Sequence, residues 1–195
     1  AGRADIASTF DNDATFHALR LEPYLEATAR EHPDLAAPLF GLSRTVGATK
    51  KALVHGDISP KNILVGPDGP MILDAECAWY GDPSFDMAFC LNHLILKSVH
   101  APRFKPAFIG AFETMSTAYL EAVDWEPRTD IETRIAALIP ALTLARIDGK
   151  SPVEYLTRDQ DKIRVRAFAI RLVGRPAQLL EEIVDHWKKE MADHD

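Results

Sequence analysis

The stretch "ALVHGDISPKNILVGPDGPMILDAECAWYGDPSFDMAF", residues 52–89, decides the fold, because the hydrophobic period changes here and nowhere else in the chain. "ALVH", "NILVG" and "MILDA" are short apolar, partly β-branched runs, and "PDGP" is a turn. Together they predict a small β-hairpin with strands near residues 62–66 and 71–74. On either side the spacing is helical. Residues 12–32 place Phe16, Leu19, Tyr24 and Leu25 at helical intervals behind an Asn/Asp cap, with Pro23 as a kink. A second helix from about Asp34 to Lys50 presents Leu35, Leu39, Leu42 and Val46 on one face. From Ser84 onward the pattern predicts helices over 84–98, 102–123, 129–147, 159–174 and 176–192, ending in the amphipathic tail "HWKKEMADHD". The expected fold class is α+β, mainly α: one helical lobe, residues 1–195, carrying one short hairpin.

Composition narrows the function classes. The chain's 195 residues are enough to bury a core. Its 22 Lys+Arg against 29 Asp+Glu leave a net charge of −7, and no basic stripe offers a surface to nucleic acid or an anionic membrane. No apolar run has membrane-spanning length, and no signal-peptide pattern is present. Cys77 and Cys90 lack metal spacing and read as free thiols in a reducing, cytoplasmic setting. The first residues, "AGRADIASTF", lack an initiator Met and are expected to be the middle of a longer polypeptide or a processed end.

The spacing His55-Gly56-Asp57, then Asn62, then Asp74 has a mechanical meaning. An Asp on a loop ahead of a hairpin can accept the proton of an incoming hydroxyl. An Asn five residues later and an Asp at the end of the next strand can converge on Mg²⁺, which favours hard oxygen ligands. A protein-kinase catalytic loop has the same Asp-to-Asn spacing, followed by a metal-binding Asp. Acids crowd beside apolar runs here because a divalent cation and a polyphosphate are expected between them.

"HGDISPKN" followed by "ILDAECAWYGDPSFDMA" resembles the catalytic half of the aminoglycoside phosphotransferase and choline kinase-like small-molecule kinases, whose pattern is H-G-D-x-x-x-x-N and then I-D-x-E-x-x-x-x-G-D-P-x-x-D. The resemblance implies a protein-kinase-like carboxy-terminal lobe using ATP and Mg²⁺, with a small-molecule hydroxyl as acceptor. Within it, Asp57 is implied as catalytic base, Asn62 and Asp74 as magnesium ligands, and Asp86 as an internal brace of the catalytic loop. The family's amino-terminal lobe carries a nucleotide-covering loop and a phosphate-pairing strand Lys. No G-x-G-x-x-G occurs among the ten glycines, and no Lys precedes Lys50. The chain is therefore expected to be the carboxy-terminal lobe alone, partnered by a nucleotide-binding lobe outside it and inactive or weakly active in isolation.

Other residues keep two readings. Glu76 and Asp82 are metal or acceptor ligands, or else a solvated acid and a turn-forming Gly-Asp-Pro. Lys61 neutralises nucleotide phosphate or lies on the surface. His55 reads as a packed, hydrogen-bonded neighbour of Asp57, Phe85 to Ile95 as core, and His93 and His100 as polar-face or helix-end residues. In "ARIDGKSPVEYL", residues 145–156, Arg146, Asp148 and Glu154 mark a loop for acceptor recognition, or a plain helix stop at Gly149 with Pro152 opening the next helix. At the level of function the alternative to a kinase lobe is a non-catalytic, kinase-like helical binding module.

Overall fold

Two helices that are apolar on nearly every face form the centre of the molecule. In the computed structural model, which describes residues 1–192, these are α5 (Ser84–His100) and α7 (Arg128–Asp148). Ile131, Ile135, Ile139 and Leu142 of α7 and Phe85, Leu91 and Leu96 of α5 are completely buried. A helix buried all round must be wrapped by others. The wrapping elements are α4 (Ala36–Ala48), α6 (Lys105–Ala122), α8 (Asp159–Gly174) and α9 (Leu180–Ala192), together with an amino-terminal helical run that follows the short α1 (Ala4–Thr9). The fold is α+β and mainly α. The last three residues of the "HWKKEMADHD" tail lie outside the described residues.

The amino-terminal run departs from the expected kinked helix. It comprises α2 (Asp13–Phe16), a π-helical segment His17–Glu26 and α3 (Ala27–Glu31). Pro23 lies inside the π-helical part and has no N–H to give to a ladder, so the wider wind takes the place of a kink. The changed wind also shifts the buried face: Leu21, Tyr24 and Leu25 are buried, whereas Leu19 is exposed. Asn12 does not cap the helix with its side chain but donates to the Ala78 carbonyl at 3.0 Å.

The β-structure is richer than one hairpin. β2 (Ile63–Gly66) and β3 (Gly69–Ile72) pair antiparallel across the turn Pro67-Asp68, with Gly69 at φ +113°. A second antiparallel pair joins β1 (Ala52–Val54) to β4 (Trp79–Gly81). Three-residue strands separated by 24 intervening residues are too short to show a period, and only tertiary contact pairs them. Their effect is large: β1 and β4 clamp both ends of the excursion that carries the His55–Asp57 loop and the hairpin. Trp79 anchors the clamp, stacked on Phe16 with ring centroids 4.1 Å apart. Most helix ends agree with the sequence pattern within two or three residues. α9 starts four residues later than expected, because the Glu182 carboxylate accepts the Gln178 and Leu179 N–H groups ahead of it.

Candidate active site

Asp57 sits on the loop between β1 and β2 and is 7% exposed. Two features shape this loop. Gly56 has φ +82°, and a Cβ there would meet the Cβ and carbonyl oxygen of Cys77 at 2.9 Å, so only glycine lets the loop lie against the turn at 75–77. Asp86, in the first turn of α5, accepts the backbone N–H of His55 at 2.7 Å and of Gly56 at 2.8 Å. One carboxylate thus ties the start of a central helix to the residues just before Asp57. Burial pushes the Asp86 carboxyl up to about 6, against the pull of those two donors. The Asp57 N–H donates to His55 Nδ1 at 3.2 Å, which leaves the His55 proton on Nε2, buried without a partner.

Around the Asp57 carboxylate the contacts are few and loose. Asn62 Nδ2 donates to Oδ2 at 2.9 Å and to the Asp57 carbonyl at 3.0 Å, which turns Asn62 Oδ1 away as a free acceptor. The cations of Arg20 and Lys61 stand 3.5 and 3.6 Å from Oδ2. The Leu73 N–H donates to the Asn62 carbonyl, extending the hairpin ladder by one step beyond the Ile63–Ile72 pair. Asp74 therefore follows directly on the strand position opposite Asn62. It adopts φ +70°, ψ +53°, a left-handed conformation uncommon outside glycine and tolerated best by Asn and Asp. The side chains of Asp74 and Glu76 make no hydrogen bond or ion pair with another described residue, and both residues are exposed.

Asp57, Lys61, Asp74 and Glu76 line one cavity of about 560 Å³, and Asn62 lies buried beside Asp57. Asp82 is not among the lining residues. It is fully buried, caps α5 through the Ser84 N–H, and is gripped by Arg134, whose guanidinium also holds Glu126. Burial lowers the Arg134 proton affinity, but its bonds to Glu126 and Asp82 outweigh this and hold it above its ordinary value. Asp82 is thus held by Arg134 and the start of α5, apart from the cavity lined by Asp57 and Asp74. Among the described residues no group of three His, Cys, Asp or Glu side chains is gathered for a metal, and Asn62 Oδ1 is a further oxygen donor beside Asp57.

The other walls were not legible in the motif. Arg20 and Tyr24 come from the π-helical segment, and Phe89, His93 and Lys97 from α5. Arg146, Ser151, Glu154 and Tyr155 come from the end of α7 and the loop beyond it. His93 is buried, not on a polar face. Phe89 lies three residues after the anchored Asp86 and His93 and Lys97 follow at four-residue steps, so projecting α5 from Asp86 would have found that stripe. Pro152 opens no helix: residues 151–158 form a loop held by Val153 N–H on the Arg146 carbonyl and by Lys150 N–H on the Pro23 carbonyl. Gly149 permits this fold-back, since a Cβ there would meet the Ala145 carbonyl at 2.6 Å. Asp148 faces elsewhere, paired with Arg166 and His32. A second cavity of about 350 Å³, lined by Phe112, Leu120 and Val184 with Glu113, Glu132 and Glu181, shares no residue with this one.

Residues 5–128 match the model of the phosphotransferase enzyme family. A methylthioribose kinase of Erwinia tasmaniensis is 31% identical over 86 residues, 44% of this chain and 21% of that protein. Methylthioribose kinase 1 of rice is 34% identical over 77 residues, 38% of this chain and 18% of its own length. A Klebsiella pneumoniae protein named "Probable ketoamine kinase" is 32% identical over 76 residues, 39% of this chain and 54% of that protein. The chain thus spans about a fifth to a half of the relatives it matches.

Proposed function

The chain belongs to the phosphotransferase enzyme family, and from that premise we propose that it is the catalytic and acceptor-binding lobe of an ATP- and Mg²⁺-dependent kinase acting on a hydroxyl of a small molecule. The observation that carries this reading is the placement of Asp57: a buried carboxylate, incompletely bonded, at the edge of a cavity large enough for a small acceptor. Asp57 accepts the proton of the attacking hydroxyl through Oδ1, which has no partner among the described residues, while Asn62 Nδ2 on Oδ2 keeps the carboxylate oriented. Asn62 Oδ1, Asp74 and, beside them, Glu76 supply hard oxygen donors that suit Mg²⁺. When bound, that cation neutralises the charge of the transferring phosphate. Lys61, with its side chain 69% exposed, is free to swing towards the nucleotide phosphates. Asp86 keeps the loop in register, and Cys77 and Cys90, both buried and free, suit a reducing cytoplasm.

We propose further that the nucleotide is covered by a segment outside these 195 residues. The test is release of ADP from Mg²⁺-ATP against a panel of hydroxylated small molecules, measured for the chain alone and for the product of the whole open reading frame. The larger product is expected to turn over an acceptor and the chain alone to be weak or inactive. Asp57→Asn should lower kcat by about a hundredfold or more with nucleotide binding retained. Acceptor-dependent turnover that survives Asp57→Asn, or that is absent from the larger folded product, overturns the reading and leaves a binding module.

A further inference from the structure

The cations of the cavity fall into two kinds. Arg20 and Lys61 stand beside Asp57, so the carboxylate there already answers them. Lys97 and Arg146 form no ion pair with any described residue. Each instead rests on an aromatic face: Lys97 Nζ is 5.1 Å from the Tyr155 ring centroid, and Arg146 Cζ is 5.7 Å from that of Tyr24. Arg146 spends Nη1 on the Tyr24 hydroxyl and on the Ser151 carbonyl and hydroxyl. Its Nε is buried without a partner, and Nη2 makes no hydrogen bond. A guanidinium held by one nitrogen, with its other edge unanswered, is an incomplete site for an oxyanion.

Position along α5 sets Lys97 away from Asp57. α5 leaves the catalytic loop at Asp86, and its lining residues Phe89, His93 and Lys97 step along one face. Lys97 is eight residues beyond Phe89, roughly 12 Å along the axis. His93, between them, is held neutral: burial pushes it down to about 3, helped by Arg146, Lys97 and Lys61. The field at that end is therefore positive, with Glu154 exposed at the rim and bonded to neither cation.

We infer that the end of the cavity remote from Asp57 is an anion subsite, and that the acceptor is a small hydroxylated acid whose carboxylate or phosphate is held by Lys97 and Arg146. This rests on the phosphotransfer reading for the word acceptor, but the subsite itself is tested without nucleotide. D-gluconate and D-glucose 6-phosphate are titrated into the chain by calorimetry at fixed low salt, beside neutral D-sorbitol and cationic D-glucosamine. At least one of the two anions should bind about tenfold or more tighter than sorbitol, and which one does so separates carboxylate from phosphate. Lys97→Ala and Arg146→Ala should each weaken that anion about tenfold, and Asp57→Asn should leave it bound. Because Arg146 also holds the Ser151 loop, Lys97→Ala, with Lys97→Arg restoring binding, is the decisive pair. Sorbitol or glucosamine matching both anions, failure of every probe to bind, or anion binding indifferent to Lys97→Ala overturns the subsite. Anion binding together with absent Asp57-dependent ADP release would instead sink the phosphotransfer reading alone.

Discussion

Asp57 and Asp82 lie 25 residues apart in one continuous stretch, are both buried, and face opposite fates. Asp82 has no exposed surface and is saturated: Arg134 approaches both oxygens at 3.0 and 3.3 Å, the Ser84 N–H takes Oδ1, and Glu126 with Lys51 completes the network. Asp57 keeps one firm side-chain hydrogen bond and two cations at 3.5 and 3.6 Å, and one edge faces the cavity. A buried carboxylate whose two oxygens are both engaged serves the fold. One that is oriented but not saturated retains capacity for a proton or a cation.

The largest effect should come from breaking the saturated side. Asp82→Ala leaves Arg134 half-buried against Glu126 alone and should cost about 3–5 kcal/mol of unfolding free energy, read from denaturant midpoints. Asp57→Asn should change stability by less than about 1 kcal/mol in the same assay, since an amide keeps the hydrogen-bonding shape and no tight ion pair is lost. Equal costs for the two substitutions would erase the distinction.

Asp86 lies between these extremes and sharpens the comparison through pH. Its folded value of about 6 stands above the ordinary 3.8, so between about pH 4 and 6 the folded state holds a proton that the unfolded chain has released. Its contribution is fully present below that window and is lost as pH rises through 6, amounting to about 3 kcal/mol at most. The difference in stability between the wild type and Asp86→Asn, followed from pH 4 to 7, should show that fall. A flat difference would mean that Asp86 titrates as an ordinary acid.

A backbone change should come next in size. Gly56→Ala forces a Cβ onto Cys77 at positive φ and should cost about 1–3 kcal/mol, while displacing Asp57 enough to depress turnover of the active enzyme. The smallest effect belongs to Lys61→Met. Its solvated pairing with Asp57 should alter thermal stability by no more than about 0.5 kcal/mol, whereas the KM for Mg²⁺-ATP should rise.

Much of this was legible because the signals are local. The α5 and α7 runs are apolar on nearly every face, and such helices have to be wrapped by others. The Asp57–Asn62–Asp74 spacing is short enough that a hairpin alone brings its members together, as the Leu73–Asn62 hydrogen bond does. Asp82 shows the limit: Gly-Asp-Pro reads the same whether its acid turns towards the cavity or towards an arginine 52 residues away. His93 shows it again, since one helical step decides whether it faces solvent or cavity, and the packing of α7 against α5 made that choice.

The sequence by itself determined the helical class, the site of the hairpin and the acids placed along it, because periodicity, turn residues and a five-residue spacing act within one or two elements. Tertiary structure alone decided that Pro23 winds a π-helical segment which carries Arg20 and Tyr24 to the cavity, that β1 and β4 clamp the excursion bearing Asp57, and that Lys97 and Arg146 line the same cavity from different elements. Those outcomes depend on which distant groups satisfy one another's charge and hydrogen bonds once the core excludes water. No local pattern records that balance.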